Sequence, residues 1–229
     1  MKKIIFLFIT LFFTNIHAFN AYSASYILSA ETKVGEFQIG TAVLDLKIKD
    51  NQYTYTSEAK TDSIWEALYD YSRSEISTGY VENNQLISNS FVVTEKDKNV
   101  IKKNFEIIIF TDKNYASSSS GEKWKIKQGT IVDPLSVYLA LSDDMLQYPN
   151  KKDFVYQVVD EDGVKNLKFK VDGPEIIQIN DDKIITIRVL CEELRLILNL
   201  SFNNNLHPIK IQKINGKTKF TMLLEEFKK

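Results

Sequence analysis

Few residues of this chain could carry out chemistry. The sequence of 229 residues contains 2 His and 1 Cys, so it can form neither an intramolecular disulfide nor a Cys/His zinc cluster. His207 lies at the predicted start of a strand, and no Gly-x-Ser-x-Gly motif supplies a nucleophile for it to activate. Cys191 has the character of a small buried apolar residue. We therefore predict no enzymatic activity, no cofactor and no metal site. A hydrolase that depends on His207 is a less favoured alternative.

The charged residues exclude two further classes of site. Asp160-Glu161-Asp162-Gly163 is similar to the start of a calcium-binding loop, but that loop requires a Glu at its twelfth position, where this chain has Val171. The segment is therefore predicted to be a hairpin turn. The 29 Lys and Arg residues balance 30 Asp and Glu residues, which argues against a protein that wraps nucleic acid.

Aromatic side chains are the stronger sign of a binding function. On the inner side of a curved sheet, clustered aromatics would form the wall of an apolar pocket, although packing in an ordinary core is an open alternative. The candidate wall residues are Tyr53, Tyr55, Trp65 and Tyr69. The candidate residues of a helix covering or plugging that pocket are Leu135, Tyr138 and Leu139.

The N-terminus has the pattern of a secretory signal peptide. Two lysines after Met1 precede an apolar run, Ile4–Phe13, that is too short to span a bilayer as a helix. We predict cleavage after Ala18, which divides the chain into a signal peptide, 1–18, and a single exported domain, 19–229. An uncleaved anchor is the alternative. A bacterial periplasm is the expected compartment.

The remainder of the chain is dominated by alternating apolar and polar residues. Ala42, Leu44 and Leu46 would point to one face of a strand, and Leu196, Leu198, Leu200 and Phe202 repeat the pattern. Turn residues divide these runs, including Asp50-Asn51, Asp172-Gly173-Pro174 and Asn215-Gly216. The pattern predicts a mainly β, single-domain fold. It would be a strongly curved antiparallel sheet or open β-barrel, with one or two short helices packed on or across it.

Two helices are predicted within this sheet protein. Asp133 is a suitable N-cap and Pro134 suits the first helical position, so a helix is expected over Asp133–Gln147. Its apolar face would carry Leu146 as well as the three residues named above, with Asp143 on another face. A shorter helix is expected over Ser63–Tyr69.

Several motifs resemble those of an uncharacterised family of exported bacterial proteins. These motifs are the segment from Val34 to Leu46, Tyr53-Thr-Tyr, Asp133-Pro-Leu-Ser-Val-Tyr and Leu206-His-Pro-Ile-Lys-Ile. The family is the domain of unknown function numbered three-one-zero-eight. The resemblance covers nearly all of the exported chain and implies an envelope protein with no assigned reaction or cofactor. A more remote, purely architectural similarity is to periplasmic lipoprotein carriers of the LolA/LolB type.

These observations favour a periplasmic, non-enzymatic protein of the cell envelope. It would bind a lipid, an acyl chain or another hydrophobic ligand in a β-sheet cavity. The alternative is an envelope assembly or structural protein that contacts other envelope proteins and holds no ligand. An open apolar cavity would favour the first hypothesis, and a filled interior would favour the second.

Overall fold

A computed structural model describes residues 20–62, 70–82, 85–127, 129–202 and 206–229. The predicted signal peptide and the predicted helix Ser63–Tyr69 lie outside the described residues, and both therefore remain predictions.

Fifteen strands and two helical segments are present in the described residues. The strands are β1 (Tyr22–Thr32), β2 (Gly35–Lys49), β3 (Gln52–Thr61), β4 (Tyr71–Glu82), β5 (Gln85–Asp97), β6 (Val100–Phe110), β7 (Tyr115–Ser118), β8 (Lys123–Lys125), β9 (Ile131–Val132), β10 (Asp153–Asp160), β11 (Gly163–Ile179), β12 (Asp182–Cys191), β13 (Leu196–Ser201), β14 (Pro208–Asn215) and β15 (Thr218–Lys228). The α-helix is α1 (Val137–Gln147), and a single 3-10 turn covers Thr111–Lys113.

All fifteen strands form one sheet, in the order β8-β7-β6-β5-β4-β3-β2-β1-β15-β14-β13-β12-β11-β10-β9. Every neighbouring pair is antiparallel except β9 and β10, which are parallel. The first and last strands pair with each other in the middle of the sheet. The fold is a single, strongly curved, open antiparallel sheet, which confirms the predicted fold class.

The sheet curls until its two ends approach each other. Trp124 of β8 packs beside Gly163 at the start of β11, where a Cβ would lie 3.1 Å from the indole nitrogen. Register shifts bend the strands, for example after Ser25 in β1 and after Thr78 in β4. Each such bulge increases local twist, and together they turn a flat ribbon into an open barrel.

The predicted alternation is confirmed at the centre of the strands. Ala42, Leu44 and Leu46 of β2 are buried, as are Leu196, Leu198 and Leu200 of β13. Phe202, which continues the second pattern, is exposed instead. It lies beyond the end of β13, so the sheet no longer holds its side chain against the core.

Two predicted turns are placed differently in the structure. In the last hairpin, Asn215 pairs with Thr218, so the two turn residues are Gly216 and Lys217. Gly216 alone has positive φ, at +60°, which is the signature of a type II′ turn. The prediction of an Asn215-Gly216 turn was therefore wrong by one residue.

The segment Asp172-Gly173-Pro174 is not a break between strands. It lies within β11, where the register shifts between Val171 and Gly173. Gly173 has a φ of +135°, a conformation that L-residues rarely adopt. Gly173 and Pro174 therefore mark a β-bulge within one long strand. A sheet tolerates both residue types at such a bulge.

The predicted helix is shorter than expected and is buried almost all round. α1 begins after Ser136, because the chain from Asp133 first forms a turn closed by side-chain hydrogen bonds. Leu146 is 43% exposed and Asp143 is buried, which reverses the predicted faces. The Ser142 hydroxyl bonds the Leu206 carbonyl oxygen, since the helix fills the concave side of the sheet.

Candidate functional site

A cavity of about 1110 Å³ lies at one end of the curved sheet. Its mouth is formed by the β1–β2 turn, where Val34 is 84% exposed, and by the β14–β15 hairpin. Most of its wall is apolar. The inner apolar residues are Leu28, Ala30, Ile39, Ala59, Leu196, Ile211 and Met222, and Phe37 and Phe220 are partly exposed nearer the mouth.

The strands at this end provide apolar side chains because their alternation continues beyond the region filled by α1. Leu28 and Ala30 follow Tyr26 on the inner side of β1, and Tyr26 is fully buried. Met222 lies opposite Leu28 on β15. Of the residues of α1, Tyr138 is the one that reaches this cavity, so the side chains at these strand positions face an open space.

Three cationic residues, Lys60, Arg73 and Lys213, also line the cavity, and Arg73 belongs to a cluster of charges. Arg73 lies on the inner face of β4, between Glu75 of the same strand and Glu95 on β5, and we refer to these three residues as the Arg73 cluster. The guanidinium Nε and Nη2 donate to Glu75 Oε1 over 3.1 and 2.6 Å, and Nη1 donates to Glu95 Oε1. Burial alone would lower the pKa of Arg73, but Glu75 and then Glu95 outweigh it, so the pKa is raised.

Tyr138 is the residue of α1 that lines the cavity. Burial raises the pKa of its hydroxyl well above the usual value, and the negative charge of Glu75 adds to this effect. Within the described part of the chain, no side chain or backbone group hydrogen-bonds this hydroxyl. The cavity therefore combines a mainly apolar wall with polar groups from Tyr138 and Arg73.

A second polar cluster holds the helix in place and is closed to solvent. The Asp133 side chain is 0% exposed. Its Oδ1 accepts hydrogen bonds from the backbone amides of Leu135 and Ser136, over 2.8 and 2.9 Å. Its Oδ2 accepts from the hydroxyls of Ser136, Ser77 and Ser88. Because it joins the turn before α1 to β4 and β5, this carboxylate fixes where the helix enters the sheet.

The sequence-predicted site residues divide between the core and the cavity. Tyr138 lines the cavity, and its part in ligand binding stays a prediction. Tyr53 and Tyr55 are buried in the packed core, where their hydroxyls bond Ser77 and Tyr22, and neither lines the cavity. The predicted aromatic wall is thus corrected: the larger aromatics fill the interior beneath the cavity, and shorter aliphatic residues line it.

The proposed lid requires a similar correction. Leu135 and Leu139 are 2% and 4% exposed, and both pack in the central core with no surface on the cavity. The helix therefore plugs the middle of the sheet and does not lie across its opening. Trp65 and Tyr69 lie outside the described residues, so their place in the wall stays a prediction.

The two residues with the most reactive side chains are both buried. His207 is 4% exposed, and its ring stacks on Phe227 with centroids 4.0 Å apart. Cys191 is buried, and its thiol donates to Glu193 Oε2 over 3.5 Å. Burial raises the pKa of Cys191 to about 11, so the group is a thiol and not a thiolate at neutral pH.

Metal-ligand sets and membrane-spanning helices are both absent from the described residues. No group of three His, Cys, Asp or Glu side chains is arranged as a metal-ligand set in the ranges given above. No helix in those ranges has the length and apolar character needed to cross a membrane.

Similarity to known proteins agrees with this architecture. The family model described as "Protein of unknown function (DUF3108)" matches residues 21–215. The chain belongs to the DUF3108 family. This finding confirms the family resemblance noted in the sequence, and the matched range extends from β1 to the end of β14.

One of the solved structures that match this chain shares its fold at low sequence identity. It is the β-barrel-like protein of the domain of unknown function DUF1849 from Brucella abortus, with a TM-score of 0.58 and 10% identity. The match covers 90% of this chain and 96% of that one. No curated protein shows significant sequence similarity to the chain. At such identity the likeness concerns the fold alone.

The Arg73 cluster and the true cavity lining were not found from the sequence. Arg73, Glu75 and Glu95 lie on strands where polar residues are common, and ordinary alternation places Arg73 and Glu75 on the same face. One feature of β4 could have indicated them. The face that carries Arg73 and Glu75 also carries Ser77, whose neighbours in β3 are buried aromatic residues. Charged residues in register with a buried face indicate a polar site within the fold.

Proposed function

We propose that this protein is a non-enzymatic, exported protein of the bacterial envelope that binds a hydrophobic ligand, such as a lipid or an acyl chain. The observation that carries the proposal is the cavity of about 1110 Å³ with a mainly apolar wall. Ligand sites of this kind usually measure roughly 300–1,000 Å³ and combine apolar walls with few polar groups. The periplasm is the proposed location.

Burial of apolar surface would drive binding. At about 25 cal/mol per Å², a ligand that buries on the order of 300 Å² of apolar surface would gain about 7.5 kcal/mol before the cost of association. That cost is several kcal/mol, so moderate affinity is expected for a single acyl chain. Because the driving force is non-directional, the cavity would accept related chains.

The cavity also separates the two hypotheses derived from the sequence. A purely structural role predicts an interior filled by side chains, whereas here the inner faces of β1, β14 and β15 leave a space open to solvent. Phe37 and Phe220 are each 40% exposed at this opening, which leaves apolar surface where a ligand would enter. These features support ligand binding over an envelope assembly role.

The experiment is a titration of the exported domain with an apolar fluorescent probe that brightens in non-aqueous surroundings. Ala59 faces the cavity from β3, so Ala59→Trp would fill part of the space. Glu58 is exposed on the opposite face of the same strand, and Glu58→Trp is the matched control. We expect Ala59→Trp to weaken probe binding by about tenfold or more, which corresponds to 1.4 kcal/mol.

The two variants make the result decisive. Unchanged probe affinity in a folded Ala59→Trp variant would overturn this site, because a bulky ring would then occupy a space that the probe does not use. Native mass spectrometry of protein purified gently from host cells gives a second reading. A reproducible extra mass of lipid size supports the proposal, and a bare protein mass with no lipid on organic extraction supports the assembly role.

A further inference from the structure

We propose that the mouth of the cavity recognises the anionic head group, a carboxylate or a phosphate, of an amphiphile whose tail lies against the apolar wall. This inference rests on the proposed function and adds the chemical class of the ligand. Its basis is the charge of the cavity lining and a set of hydrogen-bond donors on the β14–β15 hairpin.

The charged residues that line the cavity are all cationic. Lys60, Arg73 and Lys213 contribute to its surface, and among the described residues of the lining there is no Asp or Glu. A cleft lined by one sign of charge attracts ligands of the opposite sign and disfavours ligands of the same sign. The lining therefore favours an anionic ligand over a cationic one.

Two of the three cations are poorly placed to hold a head group. The Arg73 guanidinium already bonds both glutamates of the Arg73 cluster, neither of which lines the cavity. Lys60 directly follows Ala59, which faces the cavity, so alternation directs the Lys60 side chain towards the outer face of β3. Lys213 is therefore the cation that can meet a ligand.

Lys213 lies on the inner face of β14, two residues beyond Ile211 and nearer the mouth. It is opposite Phe220 of β15, which is partly exposed at the opening. No residue in the described part of the chain forms an ion pair with Lys213. Its positive charge is thus available where a ligand would enter.

Two neutral residues of the same hairpin add donors beside this charge, and we refer to Lys213, Asn215 and Thr218 as the mouth donors. Asn215 pairs with Thr218, and Lys213 precedes Asn215 by two positions, so alternation places all three on one face. All three line the cavity, and within the described ranges none of their side chains hydrogen-bonds another residue. An ammonium, an amide and a hydroxyl together supply donors that carboxylate or phosphate oxygens accept.

A head at the mouth and a tail further in give each part of the ligand a suitable environment. The head stays partly hydrated and avoids the large cost of burying a charge. The tail would pass Ile211 and Met222, which pair with each other one step deeper on the hairpin and both line the cavity. In the reverse orientation, the anionic head would lose its hydration and approach the Arg73 cluster, whose formal net charge is −1.

The experiment compares amphiphiles with the same twelve-carbon tail and different heads. Lauric acid, dodecyl phosphate, lauryl alcohol and laurylamine would each displace the apolar probe from the exported domain, at neutral pH, low ionic strength and concentrations below micelle formation. We expect the two anions to displace it at concentrations about threefold lower than the alcohol and about tenfold lower than the amine. Added salt should reduce this preference, because the mouth is open to solvent.

The order of the two anions identifies the source of the head group. Tighter binding of dodecyl phosphate would indicate a phosphate-headed lipid, and tighter binding of lauric acid would indicate a free fatty acid. Both orders support an anionic head.

Variants of Lys213 test whether the preference comes from the mouth. Lys213→Gln should remove most of the preference for the acid over the alcohol, Lys213→Glu should reverse it, and Lys213→Arg should retain it. Lys210→Gln is the matched control, since it removes one positive charge from the outer face of the same strand and Lys210 does not line the cavity.

Equal displacement by the anions and the alcohol, or tighter binding of the amine, would overturn the inference while the proposed hydrophobic site stands. An anion preference that survives in both Lys213→Gln and Lys213→Glu, or that disappears equally in Lys210→Gln, would also overturn it. If neither the probe nor any amphiphile binds, the proposed function itself fails.

Discussion

The hydroxyl of Ser77 donates a hydrogen bond to Asp133 Oδ2 over 2.6 Å, across 56 positions of sequence. This contact joins the middle of β4 to the turn before α1, in the fully buried interior. It belongs to a set of five hydrogen bonds to one carboxylate, which ties the helix to two strands of the sheet. The first prediction tests how strongly that set stabilises the fold.

Asp133→Ala should lower the free energy of unfolding by about 3–5 kcal/mol, because it leaves buried serine hydroxyls and backbone amides without an acceptor. Urea denaturation followed by circular dichroism measures the change. The control is Ser74→Ala on the outer face of β4, expected to cost less than about 0.5 kcal/mol. A loss below about 1 kcal/mol for Asp133→Ala would show that the cluster does not hold the helix.

The paired hydroxyls of Tyr22 and Tyr55, 2.8 Å apart, should be energetically coupled. In a double-mutant cycle of Tyr22→Phe and Tyr55→Phe, we expect a coupling free energy of about 1 kcal/mol, because each single variant leaves the partner hydroxyl partly unsatisfied. Chemical denaturation of the four proteins supplies the values. Strict additivity would mean that the two hydroxyls do not bond each other.

Gly79→Ala should be among the most destabilising single substitutions in the chain. A Cβ at this position would lie 2.0 Å from the Ile87 carbonyl oxygen and 2.7 Å from the Tyr53 ring, so backbone would have to move. We expect a loss of at least about 3 kcal/mol, at the upper end of overpacking costs. Gly216→Ala is the comparison, because nothing lies within 4 Å of its Cβ position.

Only strain at positive φ is expected for Gly216→Ala, at a cost of about 1 kcal/mol. Thermal unfolding of the two variants and the parent protein should therefore give Gly79→Ala a midpoint temperature well below that of Gly216→Ala. The reverse order would show that β4 and β5 separate easily at this bulge.

Cys191 should make the stability of the protein depend on alkaline pH. Burial raises the pKa of its thiol from 9.0 to about 11 in the folded state. The unfolded chain therefore loses this proton at lower pH than the folded chain does. The contribution is fully present below pH 9 and is lost as pH rises towards 11.

Cys191→Ala removes this contribution, so the variant should lose less stability between pH 8 and pH 10 than the parent, by on the order of 1 kcal/mol. Urea unfolding at the two pH values gives the comparison, and the difference between the proteins cancels the effect of tyrosine ionisation. Equal losses in both proteins would show that the thiol titrates normally in the folded state.

The sequence was a good guide to the strands because burial on one side of a sheet imposes a period of two. Leu44 of β2 and Leu198 of β13 could each be assigned to the inner face from that period alone. It was a poorer guide to α1, where a helix enclosed by a curved sheet has no polar face. Asp143 is therefore buried and Leu146 exposed, against the usual amphipathic pattern.

Local residue patterns predicted the fold class and the end of α1 at Gln147, since both depend on residues close together in sequence. Tertiary structure alone decided which inner-facing residues meet and which face an empty space. Tyr55 packs in the core and Ala59, four residues on, lines the cavity, because the interior is filled around the first position and open beside the second. Alternation assigns both residues to the same face, and only the packing of residues distant in sequence distinguishes them.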